Sequence, residues 1–363
     1  MKKVFLISSM KNQPTAECLA RGFLSAGAEL LIATDVGSLG LPGASLVERD
    51  FEAFEFCELH EFKPDLVFFI EGGTMKLFPR GLERFSCPTA WYAIDNHTGI
   101  KKHLQIAPLF DLTFAAQKAF LGSFEALGLV ARWLPLGLDL PLLPKEELPK
   151  IYDLALVGSL DPGAHPERVA MVARLKEAFP NSFFGRASME ELYLIYAQTR
   201  LVFNKSIQGD LNMRYFEALG SGALLLTDPI KDSGREELFT PEVEYFDYQE
   251  SELVQRARDL LEHWDKLAPA ASLAAKKLRT KHSYKARAQS ILDLTPQIQR
   301  RRSSGLGLEL GAYLALENRA ASLKAMVRVL EQMAGTDSKK QLLFTPAKVS
   351  LKALAKLFEG LEI

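Results

Sequence analysis

Arg214 and Glu217 stand three residues apart in the segment Asn204-Lys-Ser-Ile-Gln-Gly-Asp-Leu-Asn-Met-Arg-Tyr-Phe-Glu-Ala-Leu-Gly-Ser-Gly-Ala-Leu-Leu-Leu-Thr-Asp228. The segment reads as a polar loop, a short helix, a glycine break and a buried strand. Asn212 suits the helix N-cap, and Gly220 or Gly222 can end the helix in a left-handed turn. Residues 223–227 then form an apolar run of strand length. A polar loop feeding a helix N-terminus favours anions, because free amides and the helix dipole both attract negative charge there. A carboxylate one turn further in suits a pair of ribose hydroxyls better than a phosphate. Together these features predict a nucleotide-sugar site. The plain alternative for Arg214 and Glu217 is an i,i+3 surface pair, worth only ~0.2–0.5 kcal/mol.

The elements that would position this site are visible in the hydrophobic pattern. Short apolar runs at residues 4–7, 30–33, 66–70, 89–94, 112–115 and 131–134 predict strands, with helices at 15–26, 51–61 and 117–127 between them. Strand–helix alternation with fully apolar strands predicts a parallel sheet covered on both faces. The proline-rich, charged stretch 141–150 reads as a linker. The pattern then restarts, with strands at 154–157, 183–184, 201–203 and 243–246 and helices at 167–178, 189–198, 251–263 and 267–281. Two doubly wound halves facing one another leave a cleft at the carboxyl ends of their strands, where such folds bind ligands. The expected organisation is α/β, with domains at 1–145 and 150–300 and a helical extension at 301–363. Amphipathic stretches at 306–332 and 351–361 predict helices that pack on the body or hold an oligomer or protein partner through 303–363.

Composition narrows the class. A chain of 363 residues exceeds one ordinary core. With 48% hydrophobic and 25% charged residues it is globular rather than disordered. A net charge of -1 supplies no long-range attraction to nucleic acid or anionic membranes. Cys18, Cys57 and Cys87 fit no zinc or disulfide framework, which predicts a reducing compartment and a cytoplasmic protein. The first apolar run is too short for a signal peptide, and no segment approaches the roughly 18 apolar residues of a membrane helix. The loop after the first strand, Ser8-Ser-Met-Lys-Asn-Gln, carries no Gly-x-Gly-x-x-Gly, so a dinucleotide-dependent oxidoreductase is not expected.

The two-domain plan and the motif Phe203-Asn-Lys…Met213-Arg-Tyr-Phe-Glu-Ala-Leu-Gly-Ser-Gly resemble the glycosyltransferases of the GT-B fold, in particular the spore-maturation (CgeB-like) branch of group 1. Leu156-Val157-Gly158-Ser159, with Arg168 on the next helix, is similar to the strand opening that family's second domain. Trp91-Tyr-Ala-Ile-Asp95-Asn-His97 resembles its aromatic strand ending in Asp, and His282-Ser-Tyr-Lys-Ala-Arg287 the start of its last helix. The resemblance spans residues 1–298. One departure stands out: in the wider group a second glutamate lies eight residues before the one matching Glu217, and here that position is Gly209, with Asp210 beside it. A retaining outcome therefore does not carry over.

The resemblance implies transfer of a sugar, most simply a hexose, from a nucleoside-diphosphate sugar to a carbohydrate, protein or other small-molecule acceptor, without a further cofactor. Departure of the diphosphate needs cations and amides. Arg214, Lys205, Arg168 and the amides at Asn212 and Met213 are the candidates, with Glu217 on the ribose. Gly158, Ser159 and Arg186 lie at strand ends where the base could rest. Asp95 and His97 follow a strand of the first domain, where either could act as general base on an acceptor hydroxyl; turn chemistry is the simpler account of Asp95-Asn96. Glu71-Gly72-Gly73 and Ser8-Ser9-Met10 are further strand-end loops. Asp210, Asp228 and Asp232 lack compact spacing for a divalent ion, and no metal site is expected. His60, His103, His165 and His263 show no ligand spacing, and His282 suits a helix cap. The alternatives are a sugar-nucleotide-binding protein without turnover, or a docking protein acting through its C-terminal helices.

Overall fold

The strands alternate their side chains between two apolar layers. In a computed structural model of the chain, residues 1–10, 14–36, 40–48, 50–71 and 77–300 are described. The first lobe contains β1 (Lys3–Ile7), α1 (Pro14–Ser25), β2 (Glu29–Thr34), β3 (Ala44–Leu46), β4 (Asp50–Glu52), α2 (Ala53–Leu59), β5 (Leu66–Ile70), β6 (Phe78–Arg80), β7 (Thr89–Ala93), α3 (Asn96–Ile106), β8 (Leu112–Ala115), α4 (Leu121–Glu125) and β9 (Ala131–Trp133). Its seven-stranded sheet is parallel, in the order β3-β2-β1-β5-β7-β8-β9. Val4, Leu6 and Phe68 point into one core, and Phe5, Ile7, Val67 and Phe69 into the other, so both faces are covered.

The second lobe contains β10 (Tyr152–Val157), α5 (Pro166–Ala178), β11 (Ser182–Gly185), α6 (Met189–Ala197), β12 (Thr199–Phe203), α7 (Met213–Gly220), β13 (Leu224–Thr227), α8 (Arg235–Leu238), β14 (Tyr245–Asp247), α9 (Leu253–Glu262), α10 (Trp264–Lys281) and α11 (Tyr284–Leu294). Its five strands are parallel, in the order β11-β10-β12-β13-β14. Leu154, Leu156, Leu201 and Leu224 face an outer core. Ala155, Val157, Val202 and Leu225 face inward and join the same apolar cluster as Val4 and Leu6 of the first lobe. A single core thus fills the space behind the cleft.

The chain crosses between the lobes twice. It leaves the first sheet through residues 134–143 and returns when α11 packs on α1. The two crossings are bonded to each other: the Leu138 N–H donates to the His282 carbonyl and the Tyr284 N–H to the Leu138 carbonyl, each at 2.9 Å. Arg287 Nε donates to the Pro135 carbonyl at 2.9 Å, and the Ser283 hydroxyl caps α11 by accepting from the Ala286 N–H. The His282–Arg287 motif is therefore the seam of the crossover.

Several elements differ from the hydrophobic pattern. The helix expected over 51–61 begins at Ala53, because Asp50–Glu52 pairs with Phe78–Arg80 as a two-stranded ribbon. The helix expected over 117–127 shrinks to α4, and α3 forms from residues too polar to show an apolar stripe. Gly222, at φ 77, supplies the left-handed turn after α7, while Gly220 stays inside the helix. The expected helices at 306–332 and 351–361, with Gly72 and Gly73, lie outside the described residues.

Gly22 tests the crossover. A Cβ there would stand 2.5 Å from the Tyr284 carbonyl oxygen and 2.7 Å from its carbon, and backbone cannot swing aside. Gly22→Ala should cost about 1–3 kcal/mol by forcing α1 and α11 apart. Gly122, in α4, would meet nothing within 4 Å, and Gly122→Ala should stabilise by roughly 0.5–1 kcal/mol. Thermal unfolding of the pair checks both signs; wild-type melting of Gly22→Ala would contradict the close packing.

Candidate functional site

The carboxyl ends of β10, β12 and β13 converge on the start of α7. Asn212 occupies the N-cap position, with φ -85 and ψ 174, but its side chain makes no capping bond. This corrects the expectation from its residue type. Its amide is drawn instead to Asn204 Oδ1 at 3.2 Å and, more weakly, to Asp210 Oδ1 at 3.5 Å, which leaves amides at the helix start open.

Arg214 is held by three elements. Nε donates to Tyr196 Oη at 3.2 Å, Nη1 to Asn204 Oδ1 at 2.6 Å and Nη2 to the Val157 carbonyl at 3.0 Å. Gly158 makes this possible, since a Cβ there would stand 3.0 Å from Arg214 Nη2. No ion pair among the described residues joins Arg214 to Glu217, so the simple i,i+3 account does not describe them. Glu217 is 5% exposed, and no described residue donates a hydrogen bond to its carboxylate. Burial pushes its pKa up to about 7, against the opposing pull of the Arg214 charge.

Arg168, on α5, is 6% exposed. It donates to the Lys205 carbonyl at 3.0 Å and the Ser159 carbonyl at 3.4 Å, while its Nε has no partner among the described residues. Burial and then the neighbouring Arg214 charge lower its pKa, whereas Arg214 itself is held up, against its burial, by Tyr196 and the Glu217 charge. Lys205 bridges Asp228 at 3.2 Å and Glu167 at 3.5 Å; burial lowers its pKa, but these two acids outweigh it and the net direction is up. Arg186 is exposed and reaches Ser159 Oγ at 3.4 Å. Arg214, Arg168, Lys205, Gly158, Ser159, Arg186, Asn212 and Glu217 thus gather at one end of the second sheet.

Asp95 and His97 stand across from them, Asp95 at the N-cap of α3 and His97 in that helix's first turn. Asp95 is half-buried, and burial followed by the Glu71 charge raises its pKa. His97 is half-buried, with Nδ1 enclosed and without a partner among the described residues. Asp210, 7% exposed, comes from the opposite lobe. Its pKa is raised by burial, which exceeds the downward effects of the Ile207 N–H bond and the His97 charge.

A buried polar network behind this turn was not evident in the sequence. Glu71 Oε2 accepts from the Ile94 and Asp95 N–H groups at 2.6 and 3.1 Å. Glu71 Oε1 contacts His103 Nε2 at 2.8 Å, and His103 Nδ1 meets the Asn96 amide at 3.0 Å. Asn96 Oδ1 accepts from the Gln117 N–H, which turns its NH₂ toward His103 and leaves the His103 proton on Nε2, facing Glu71. Glu71 follows β5 directly and offered a positional hint; His103 and Gln117 offered none. No group of three or more His, Cys, Asp or Glu side chains among the described residues is placed to hold a metal ion, and no described helix is long and apolar enough to cross a membrane.

Residues 142–293 match a family model described as glycosyl transferase-like. The HepE protein of Anabaena in complex with UDP has a similar structure, with a TM-score of 0.59 at 14% identity, over 82% of this chain and 100% of that one. Sucrose-phosphate synthase from Thermosynechococcus elongatus gives 0.57 at 12% identity, over 82% and 99%. A glycosyltransferase from Rickettsia africae gives 0.56 at 11% identity, over 82% and 98%. No curated protein matches the chain in sequence. The fold is that of the GT-B glycosyltransferases.

The buried Glu217 carboxyl should mark the stability curve. Its folded-state pKa of about 7 lies above the ordinary 4.5, so the folded protein binds that proton more tightly than the unfolded chain. The stability this contributes is complete below about pH 4.5 and is lost as pH rises through about 7. Glu217→Gln has no such loss, and should gain on wild type by on the order of 2–3 kcal/mol between about pH 5 and pH 8. Urea unfolding at the two pH values measures this; a difference independent of pH would show that Glu217 is not held in a raised-pKa site.

Proposed function

We propose that the protein is a glycosyltransferase that moves a sugar, most simply a hexose, from a nucleoside-diphosphate sugar to an acceptor hydroxyl. The observation that carries this is a buried carboxylate, unpartnered among the described residues, beside the guanidinium groups of Arg214 and Arg168 at the start of α7. Glu217 accepts the ribose hydroxyls, and Arg214, Arg168, Lys205 and the amides at Asn212 and Met213 take the diphosphate. Gly158, Ser159 and Arg186 border the base. A uridine diphosphate sugar is the donor we favour, because HepE of the same fold is known bound to UDP-glucose. The reaction is assigned to protein groups, with no metal or further cofactor.

The chemistry follows from where charge develops. As the glycosidic bond to the diphosphate breaks, negative charge grows on the leaving phosphate, and fixed cations there lower the barrier because they need not reorganise. On the facing wall, Asp95 or His97 takes the acceptor proton. Asp95, its pKa raised by burial, is the stronger base of an ordinary and a buried carboxylate. We place the chain in the CgeB-like branch on the motifs around Arg214 and Glu217, and in the cytoplasm on its three free cysteines.

One observation favours a second reading, a sugar-nucleotide-binding protein without turnover. Gly209, where the wider group has its other glutamate, has φ 80. A glutamate would be strained there, so the second carboxylate is disfavoured by the backbone itself.

Titration calorimetry with UDP, together with UDP release from UDP-glucose, tests the assignment. Glu217→Ala should weaken UDP binding by about 1–3 kcal/mol, and Asp95→Asn should lower turnover at nearly unchanged UDP affinity. UDP binding without turnover would favour the second reading; a wild-type protein that binds no nucleoside diphosphate would exclude both.

A further inference from the structure

Gln117 belongs to the first lobe by sequence, yet its side chain is spent on the second. It is 5% exposed and lies just after β8. The Leu211 N–H donates to Gln117 Oε1 at 2.9 Å, and Gln117 Nε2 donates to the Leu211 carbonyl at 3.5 Å, the weaker of the two contacts. Leu211 lies between Asp210 and Asn212, in the loop that leads into α7. At its other end the Gln117 backbone N–H donates to Asn96 Oδ1 at 3.3 Å. From there the series runs through His103 to Glu71, whose carboxylate accepts the Ile94 and Asp95 N–H groups.

This is an uninterrupted, buried run of hydrogen bonds from the turn that carries Asp95 and His97 to the loop that carries Asp210 and Asn212. Each link fixes the next, because a backbone N–H can only donate and a carboxylate can only accept. Apolar packing behind the cleft sets the lobes side by side but leaves small sliding motions open. A two-pronged amide contact does not.

Building on the transfer reaction proposed above, we infer that Gln117 is a positioning residue, which sets the distance between the acceptor-side groups Asp95 and His97 and the donor loop. The groups assigned to the donor, Arg214, Arg168, Lys205 and Glu217, all lie in the second lobe. Loss of the Gln117 contact therefore leaves donor affinity nearly intact and lowers turnover, since a misplacement of about 1 Å can cost as much as 100-fold in rate.

Two variants separate this role from simple loss of stability. Gln117→Leu removes both prongs. Gln117→Glu keeps the shape: ionised, it sets a carboxylate oxygen against the Leu211 carbonyl; protonated, its hydroxyl donates to that carbonyl and both contacts return. The titratable and charged groups around the position are Asp210 beside Leu211, His97 facing Asp210, His103 beyond Asn96, and Lys118, which is ion-paired to Glu237. All of them are present in wild type, so the measured quantity is the ratio of variant to wild-type turnover of UDP-glucose at each pH. Gln117→Leu should lose at least about tenfold in kcat, with UDP affinity within about threefold, across the pH range. Gln117→Glu should recover several-fold on that ratio as pH falls from about 8 to about 5.5, because burial and the facing Leu211 carbonyl favour the protonated carboxyl at this position.

A ratio for Gln117→Glu that is flat with pH, full turnover in Gln117→Leu, or UDP affinity falling in step with turnover would overturn the inference. Amide hydrogen exchange keeps it separable from the transferase reading. If Gln117 links the two walls, Gln117→Leu raises exchange at Leu211 and at Ile94 and Asp95 together, whether or not wild type turns over UDP-glucose. Faster exchange confined to Leu211 would overturn it.

Discussion

The two chain crossings, bonded to one another at Leu138 and residues 282–284, hold the rest of the structure in place. Both lobes rest on this seam through missing side chains. Gly22 lets α1 of the first lobe sit on the Tyr284 backbone. Gly220, at the end of α7, leaves room for Leu138, whose branch carbons would otherwise stand 2.5 Å from a Cβ. The helix bearing Arg214 and Glu217 is thus seated at its far end on the joint between the lobes. Further bonds pin the joint in register: Tyr92 Oη donates to the Leu134 carbonyl, the Asp139 N–H donates to Tyr193 Oη, and Arg21 pairs with Asp139. The seam fixes the back of the cleft, and the Gln117–Leu211 contact fixes its two walls nearer the reacting groups.

The two walls of the cleft are electrostatic opposites. On the second lobe, the Arg214 charge adds to the burial that lowers the Arg168 pKa, and the nearest free carboxylate, Glu217, is itself reluctant to ionise. On the first lobe, Asp95 and Glu71 crowd together, joined by Asp210 from across the gap. The Arg168–Arg214 pair and the Asp95–Glu71 pair each bring like charge together in a partly dry setting. Such arrangements are maintained by the surrounding packing and are relieved by a ligand of the opposite sign. An anion at the start of α7 and a proton donor beside Asp95 relieve both at once. Lys205 differs in that Asp228 and Glu167 already pair with it, and Asp228 in turn holds the loop through Ser206, so Lys205 reaches the diphosphate from a braced position.

Much of the fold could be read from the chain, since parallel strands buried on both faces leave unbroken apolar runs such as residues 66–70. The loop–helix–strand unit around Arg214 was equally legible, because its glycines, cap residue and charges lie within one short window. What escaped the sequence lies in pairings across long separations. Glu71 and His103 are 32 residues apart, and Gln117 and Leu211 are 94 apart; neither pair has a spacing that periodicity can register. The polar helix α3 escaped because two of its three buried residues, Asn96 and His103, read as surface and only Ile106 is apolar. Asn212 was misjudged for a related reason: residue type indicates that a side chain can cap a helix, not that two nearer oxygens will claim its amide. Gly22, inside an otherwise regular helix, was a clue to close packing, but only the returning Tyr284 shows what it packs against.

Glu217 carries a consequence of its own. A carboxyl with a pKa near 7 is divided at neutral pH between neutral and charged molecules in nearly equal shares. Two hydroxyls donating together, one to each oxygen, favour the charged form, so seating them draws off part of that proton near neutral pH. Occupancy and proton release become one event, and buffer molecules outside the cleft become silent participants in it. The heat of association would then change with the ionisation enthalpy of whichever buffer receives the proton, even though no buffer molecule ever enters the site.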